Sequence, residues 1–140
     1  MTTHHPPRHR ILALSGSLRR DSHNRRLLEA AIRHAPGNLQ ITLYDDLADV
    51  PIFNEDREAA QLRQGGVRRL REAVVNADGL LIATPEYNQS MPGVLKNAID
   101  WLSRPGPDDP LTGKPAAIMG ASTGRWGTRL AQAALRQTLA

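Results

Sequence analysis

Five apolar residues, Gly79–Ala83, empty directly into the polar stretch Thr84-Pro-Glu-Tyr-Asn-Gln-Ser90. A short run of this kind reads as a buried strand, and it constrains the rest of the chain through what surrounds it. Residues 11–14 form a second apolar run, ended by Ser15-Gly16-Ser17. Residues Leu39–Tyr44 alternate polar and apolar, as an edge strand with one covered face does, and Ala116–Met119 gives a fourth strand. Between these runs the spacing predicts helices over 24–34, 67–76, 92–103 and 128–139. Their apolar positions fall on one face: Leu27, Leu28, Ala31 and Ile32 in the first, Val67, Leu70, Val74 and Val75 in the second, Val94, Leu95, Ala98, Ile99 and Leu102 in the third. A helical turn is expected near residues 58–62, inside the long connection 45–64. Strands alternating with helices mean an α/β fold, a three-layer α/β/α sandwich around a parallel sheet joined by right-handed crossovers. The expected order is the flavodoxin-like 2-1-3-4, normally completed by a fifth strand. The sequence as read stops at Ala140, before any fifth strand, which predicts an exposed edge at strand four.

In such a sheet ligands bind at the carboxyl ends of the strands, where neighbouring connections leave in opposite directions. That brings three loops together. The first, Gly16-Ser-Leu-Arg-Arg-Asp-Ser-His-Asn24, has the chemistry of a phosphate site. Gly16 permits a tight turn, Ser17, Ser22 and Asn24 supply neutral donors, Arg19 supplies charge, and the start of the next helix adds its dipole. His23 lies in the same loop. It is neither a Walker A loop nor a Gly-x-Gly-x-x-Gly fingerprint, so a phosphate monoester held without magnesium suits it better. The plainer alternative is a helix capped by Ser22 or Asn24 with its arginines in solvent. In the second loop, Pro85, Glu86, Tyr87, Asn88 and Gln89 are too polar to face a core together; they suit the edge and face of a flat heterocycle. The third, Ala121-Ser-Thr-Gly-Arg-Trp-Gly127, adds the Ser122 hydroxyl and a flexible Gly124.

The chain's 140 residues make one domain, with residues 1–9 expected to be a disordered tail and residues 10–140 the folded unit. His4, His5 and His9 in that tail have no ordered partner ligand, so no metal site is expected. There is no cysteine, which excludes disulfides and thiolate chemistry and suits a reducing cytoplasm. The net charge is +4, and Arg8, Arg10, Arg19, Arg20, Arg25, Arg26 and Arg33 concentrate the excess in the first quarter. Only five aromatic residues (Phe, Trp, Tyr) accompany it, scattered, so an anionic cofactor explains the charge better than nucleic acid does. No segment has the length of a membrane span or the apolar core of a secretory signal.

The pattern Gly16-Ser-Leu-Arg-x-x-Ser-x-Asn24, with Thr84-Pro-Glu-Tyr-Asn-x-Ser90 and Leu95-Lys-Asn-Ala-Ile-Asp-Trp-Leu-Ser-Arg104, resembles the NADPH-dependent FMN reductase family. The resemblance runs from Arg10 to Leu139. It implies a flavodoxin-like fold, non-covalent FMN, and two-electron ping-pong transfer from NADPH or NADH to a small acceptor such as a quinone, chromate, an azo dye or free flavin. It also implies a homodimer or homotetramer, assembled partly through the helix that carries Leu95, Asp100 and Trp101. By the same resemblance Ser17, Arg19, Ser22 and Asn24 hold the FMN phosphate, and Pro85, Glu86, Tyr87, Asn88 and Gln89 line the isoalloxazine edge. Ser122 and Gly124 close the other side, with Arg104, Arg125 and Trp126 near the substrate. The family's third loop ends in a Gly-Gly pair where this chain has Gly127-Thr128, so the fit of nicotinamide or acceptor is where this chain departs most. No catalytic side chain is expected, because the flavin performs the chemistry. Two other readings stay open: a flavodoxin-like electron carrier, for which the basic charge is unusual, and a truncated, inactive flavin-binding fragment.

Overall fold

The computed structural model describes residues 8–140. The expectation of a disordered tail lies outside the described residues for positions 1–7, as do His4 and His5. Position 9, placed in the tail by that expectation, instead begins the first strand, and the His9 N–H donates to the Asn38 carbonyl at 2.8 Å.

Four parallel strands form one sheet in the order β2-β1-β3-β4, where β1 is His9–Ser15, β2 Leu39–Tyr44, β3 Gly79–Ala83 and β4 Ala116–Met119. Their register aligns Leu14 with Tyr44 on one side and with Ile82 on the other, while Ala83 meets Met119. The carboxyl ends of β1, β3 and β4 are therefore level. Five α-helices connect them: α1 His23–Arg33, the short α2 Glu58–Gln61, α3 Gly65–Val75, α4 Gly93–Leu102 and α5 Arg129–Leu139. The long connection after β2 also carries 3-10 turns at Leu47–Asp49 and Glu55–Arg57.

The sheet separates two apolar layers, as a doubly covered sheet requires. On one face Leu12, Leu14, Leu80 and Ile82 meet α3, α4 and α5 through Val67, Leu70, Val74, Leu95, Trp101 and Leu135. On the other, a smaller layer gathers Ala13, Leu81 and Ala83 around Leu28 of α1. Val75 departs from its expected inward position and is 42% exposed, because α3 ends there and the wall is completed by Val74 and Ala77. Leu95 and Trp101 are fully enclosed within this chain's own core, so of the three residues named on the expected interface helix Asp100 alone is part-exposed.

Polar groups pin the ends of these elements. Lys114 sends its ammonium into the carbonyls that close α3, those of Val74 and Ala77, where a cation both satisfies orphan acceptors and complements the helix dipole. Arg71, 3% exposed, donates to the carbonyls of Trp101 and Arg104 at 2.9 and 3.1 Å and to the Asp108 carboxylate, fixing the segment after α4. The outer edge of β4 has no strand partner among the described residues, and Ala116 and Ala117 are exposed there. A depression of about 440 Å³ runs along this edge between α4 and α5.

Candidate functional site

Local chemistry shapes each of the three loops. In the first, Ser15 Oγ accepts from Ser17 N at 3.3 Å and donates to Ser17 O at 3.1 Å, curling the chain as it leaves β1. Ser17 Oγ accepts from Arg19 N at 3.3 Å, and the Arg19 guanidinium donates to the Asp21 carbonyl at 3.3 Å. Ser22 caps α1 by accepting from Asn24 N at 3.2 Å. Gly16 is required by proximity: a Cβ there would lie 3.1 Å from Pro85 Cδ and 3.3 Å from Thr84 Oγ1, so the first two loops touch through its bare backbone.

In the second loop, Tyr87 and Ser90 exchange both backbone hydrogen bonds, at 2.9 and 3.0 Å. Asn88 and Gln89 bridge them at φ 51° and 65°, the two left-handed positions of a type I′ hairpin turn. The turn presents Tyr87 outward, 52% exposed. In the third, Gly124 N donates to Ser122 Oγ at 2.9 Å and Gly127 N to Gly124 O at 3.3 Å, placing Arg125 and Trp126 at a turn tip. Thr128 is buried directly behind it; a Cβ on Gly120 would fall 1.8 Å from Thr128 Oγ1 and 2.7 Å from Thr84 O, so position 120 has no room for a side chain.

Two side chains stitch the loops to one another. Asn24 is almost fully buried, accepts from Ala121 N at 2.9 Å and donates to Ala121 O at 3.2 Å, clasping loop three to the start of α1. Glu86 Oε1 accepts from Leu130 N at 2.7 Å and Ala131 N at 2.8 Å, so a residue of loop two caps α5.

Between the loops lies a cavity of about 250 Å³. Ser17, Arg19, Ser22, His23, Asn24, Pro85, Glu86, Tyr87 and Ser122 line it, together with Ala121 and Thr123. A cleft of about 310 Å³ shares Ser17, Arg19 and Tyr87 with it and continues along Leu18, Pro92, Gly93 and Val94. Nine of the twelve residues expected to bind cofactor are thus brought to one concavity. Asn88, Gln89 and Gly124 do not line it; they set the turns that hold its walls. Asn24 commits its carbonyl oxygen and one amide hydrogen to Ala121, which leaves its second N–H for a phosphate.

Arg104 is elsewhere. It pairs with both oxygens of Glu58 at 2.8 and 2.9 Å, lies over the Phe53 ring and faces a separate depression with Asp100 and Ser103. Of the basic cluster in the first quarter, Arg10, Arg25 and Arg26 are matched by Asp78, Asp45 and Asp21, and only Arg19 reaches the cavity. Ala121, Thr123, Leu18 and Val94 escaped the sequence reading because small and apolar side chains carry no chemical signal of a lining role. The one available cue was Pro92-Gly93, where a helix start without a side chain leaves room for a cleft.

The donor set fits a phosphorylated flat heterocycle: two hydroxyls, a guanidinium and a helix start at one end, and at the other Pro85, Tyr87 and exposed loop backbone. The sequence model of the NADPH-dependent FMN reductase family matches residues 9–140. The chain is 54% identical over 130 residues to an NAD(P)H-dependent FMN reductase of Pseudomonas aeruginosa, covering 93% of this chain and 69% of that protein. It is 42% identical over 129 residues to a quinone reductase of Escherichia coli, covering 92% of this chain and 68% of that protein. Among solved structures, the flavoenzyme NAD(P)H:(acceptor) oxidoreductase FerB of Paracoccus denitrificans matches with a TM-score of 0.85 and 40% identity, over 94% of this chain and 70% of that one.

Proposed function

The chain belongs to the NADPH-dependent FMN reductase family, and from that membership we propose that the cavity at its three strand ends is where FMN is held. The chain is a flavin-dependent oxidoreductase fed by NAD(P)H, and its acceptor is a small molecule. The observation that carries the assignment of the site is the stitching of the loops by Asn24 and Glu86, which holds an anion-binding end and an aromatic wall at opposite sides of one cavity.

Each residue has a role in this reading. Ser17 and Ser22 offer hydroxyl donors and Arg19 a cation to the phosphate, at the positive end of α1. Pro85 and Tyr87 give the ring a flat wall, and loop-two backbone gives it an edge of amides and carbonyls. Ser122 closes the opposite side. Asn24 and Glu86 line the cavity and also position its loops, through their bonds to Ala121 and to Leu130 and Ala131. Bound FMN supplies reversible two-electron chemistry, which explains why no side-chain nucleophile or acid–base pair is needed. The neighbouring cleft, walled by Leu18, Pro92 and Val94, is apolar enough to take a quinone ring beside Tyr87. A homodimer or homotetramer belongs to the same proposal, with the 79% exposed Ile52 as an apolar group such a contact would cover, as does a cytosolic setting for a chain without cysteine.

The test is spectroscopic. Purified chain titrated with FMN is expected to quench flavin fluorescence with a one-to-one endpoint, to bleach under anaerobic NADPH, and to recolour on addition of a small quinone. A chain that leaves FMN fluorescence unchanged at micromolar concentrations would refute the site.

A further inference from the structure

Outside the cavity, two arginines gather on one exposed aromatic ring at the tip of loop three. The Arg125 and Arg129 guanidinium carbons lie 5.0 and 5.3 Å from the centroid of the Trp126 ring. Neither guanidinium has a carboxylate within 4.0 Å among the described residues. Trp126 itself is 65% exposed, whereas the other tryptophan, Trp101, is enclosed. Two like charges are thus gathered on one aromatic ring, at the first residue of α5, where the helix dipole disfavours a cation. The nearby Glu86 carboxylate is engaged with the amides of Leu130 and Ala131 and reaches neither arginine. Such an arrangement leaves two exposed guanidiniums side by side for an anion to bridge.

The position of the cluster says which anion. Ser122 and Thr123 line the flavin cavity, and the Gly124–Gly127 turn begins with the next residue, anchored to Ser122. A pyridine nucleotide whose nicotinamide lies against a flavin held in that cavity must lead its distal end out across the rim. Two adjacent guanidiniums match a dianionic phosphate monoester better than the singly charged groups of a diphosphate bridge. In the donor, the only such monoester is the 2′-phosphate that separates NADPH from NADH.

We propose that Arg125, Trp126 and Arg129 form the binding site for the adenosine 2′-phosphate of the donor and make this chain prefer NADPH. The assignment rests on the flavin reading of the adjoining cavity, but its test does not need flavin. Trp126 is exposed and reports on its own occupancy, so fluorescence of the full chain is titrated with adenosine 2′,5′-bisphosphate and, separately, with adenosine 5′-monophosphate. Saturable quenching is expected with the bisphosphate at an affinity about ten-fold or more above the monophosphate, and it disappears in Trp126→Phe. Arg125→Gln and Arg129→Gln, both surface changes, are each expected to weaken it about ten-fold. In the reductive half-reaction of FMN-loaded protein, the ratio of NADPH to NADH KM rises by a similar factor in each variant. Equal affinity for the two nucleotides, or variants that discriminate as well as the parent, overturns the donor site even if FMN binds normally. Discrimination that persists in a chain refusing FMN keeps the phosphate site and removes the flavin assignment.

Discussion

Glu86 occupies a position where two explanations of one residue can be told apart. Its carboxylate accepts from two amides at the head of α5, so a charged acceptor meets both unsatisfied donors and the positive end of the helix dipole. Removing it should cost ~1–2 kcal/mol, as removal of a helix cap does. Glu86→Ala is therefore expected to lower the urea midpoint and, by loosening loops two and three, to weaken FMN several-fold. Glu86→Gln keeps an oxygen in place without the charge and should lose about half as much stability. If Glu86 instead bonded the flavin directly, the alanine variant would lose FMN while its urea midpoint stayed put; parallel denaturation and flavin titrations separate the two. Asn24 belongs to the same class. Its residue type was legible as a loop polar group, but the groups it bonds, the N–H and C=O of Ala121, lie 97 positions away, and no local pattern encodes that pairing.

At the level of elements, α4 shows what the Lys-Asn-Ala-Ile-Asp-Trp segment does for the fold. Asn97 and Trp101, one helical turn apart, both donate to the Pro51 carbonyl, at 2.9 and 2.7 Å, and Asn97 accepts from Phe53 N at 2.9 Å. Phe53 then meets Trp101 edge-on, with centroids 4.8 Å apart. Helix α4 thereby fastens the long connection after β2, which has little regular structure of its own to hold it. Trp101→Phe keeps most of the packing and loses one hydrogen bond, leaving Pro51 O with Asn97 alone; a loss of about 1 kcal/mol is expected. Amide exchange should locate that loss, with Phe53 N–H deprotected more than the amides of β1 or β3. Uniform acceleration across the sheet would show instead that Trp101 matters only to the core. The strands and main helices were readable because apolar periodicity is a local property: β2, β3 and β4 fall where the pattern put them, and α1, α3 and α5 differ by one or two residues at their ends. Pro92 was expected as the first helical residue, yet it caps α4 with extended backbone, ψ 150°. The tethering role of Asn97 could not be read, because it depends on how a connection of twenty residues folds back.

For the molecule as a whole, ion pairs at the ends of elements make stability depend on acid in a definite direction. The Asp108 carboxyl is held below its ordinary pKa by the hydrogen bond from buried Arg71, that of Glu58 by its hydrogen bonds from Arg104, and that of Asp78 by the backbone N–H of Arg10. A carboxyl that is more acidic folded than unfolded binds fewer protons in the native state, so acidification favours unfolding. The stabilisation is complete above the unfolded values, about 4, and is lost as pH falls from there through the lower folded values. Asp78 is solvent-facing and screened and Glu58 is partnered by a part-exposed arginine, whereas the Arg71 that partners Asp108 is enclosed, so Asp108 should contribute most of the slope. Urea midpoints are expected to be level between about pH 5 and 7 and to fall steadily below about 4. Asp108→Asn should start from a lower midpoint at neutral pH, since it replaces a charged acceptor, and then fall less steeply, because one depressed group has been removed. Parallel acid limbs in the two proteins would mean that the Arg71 pin stabilises through its bonds to the Trp101 and Arg104 carbonyls, with the Asp108 charge contributing nothing.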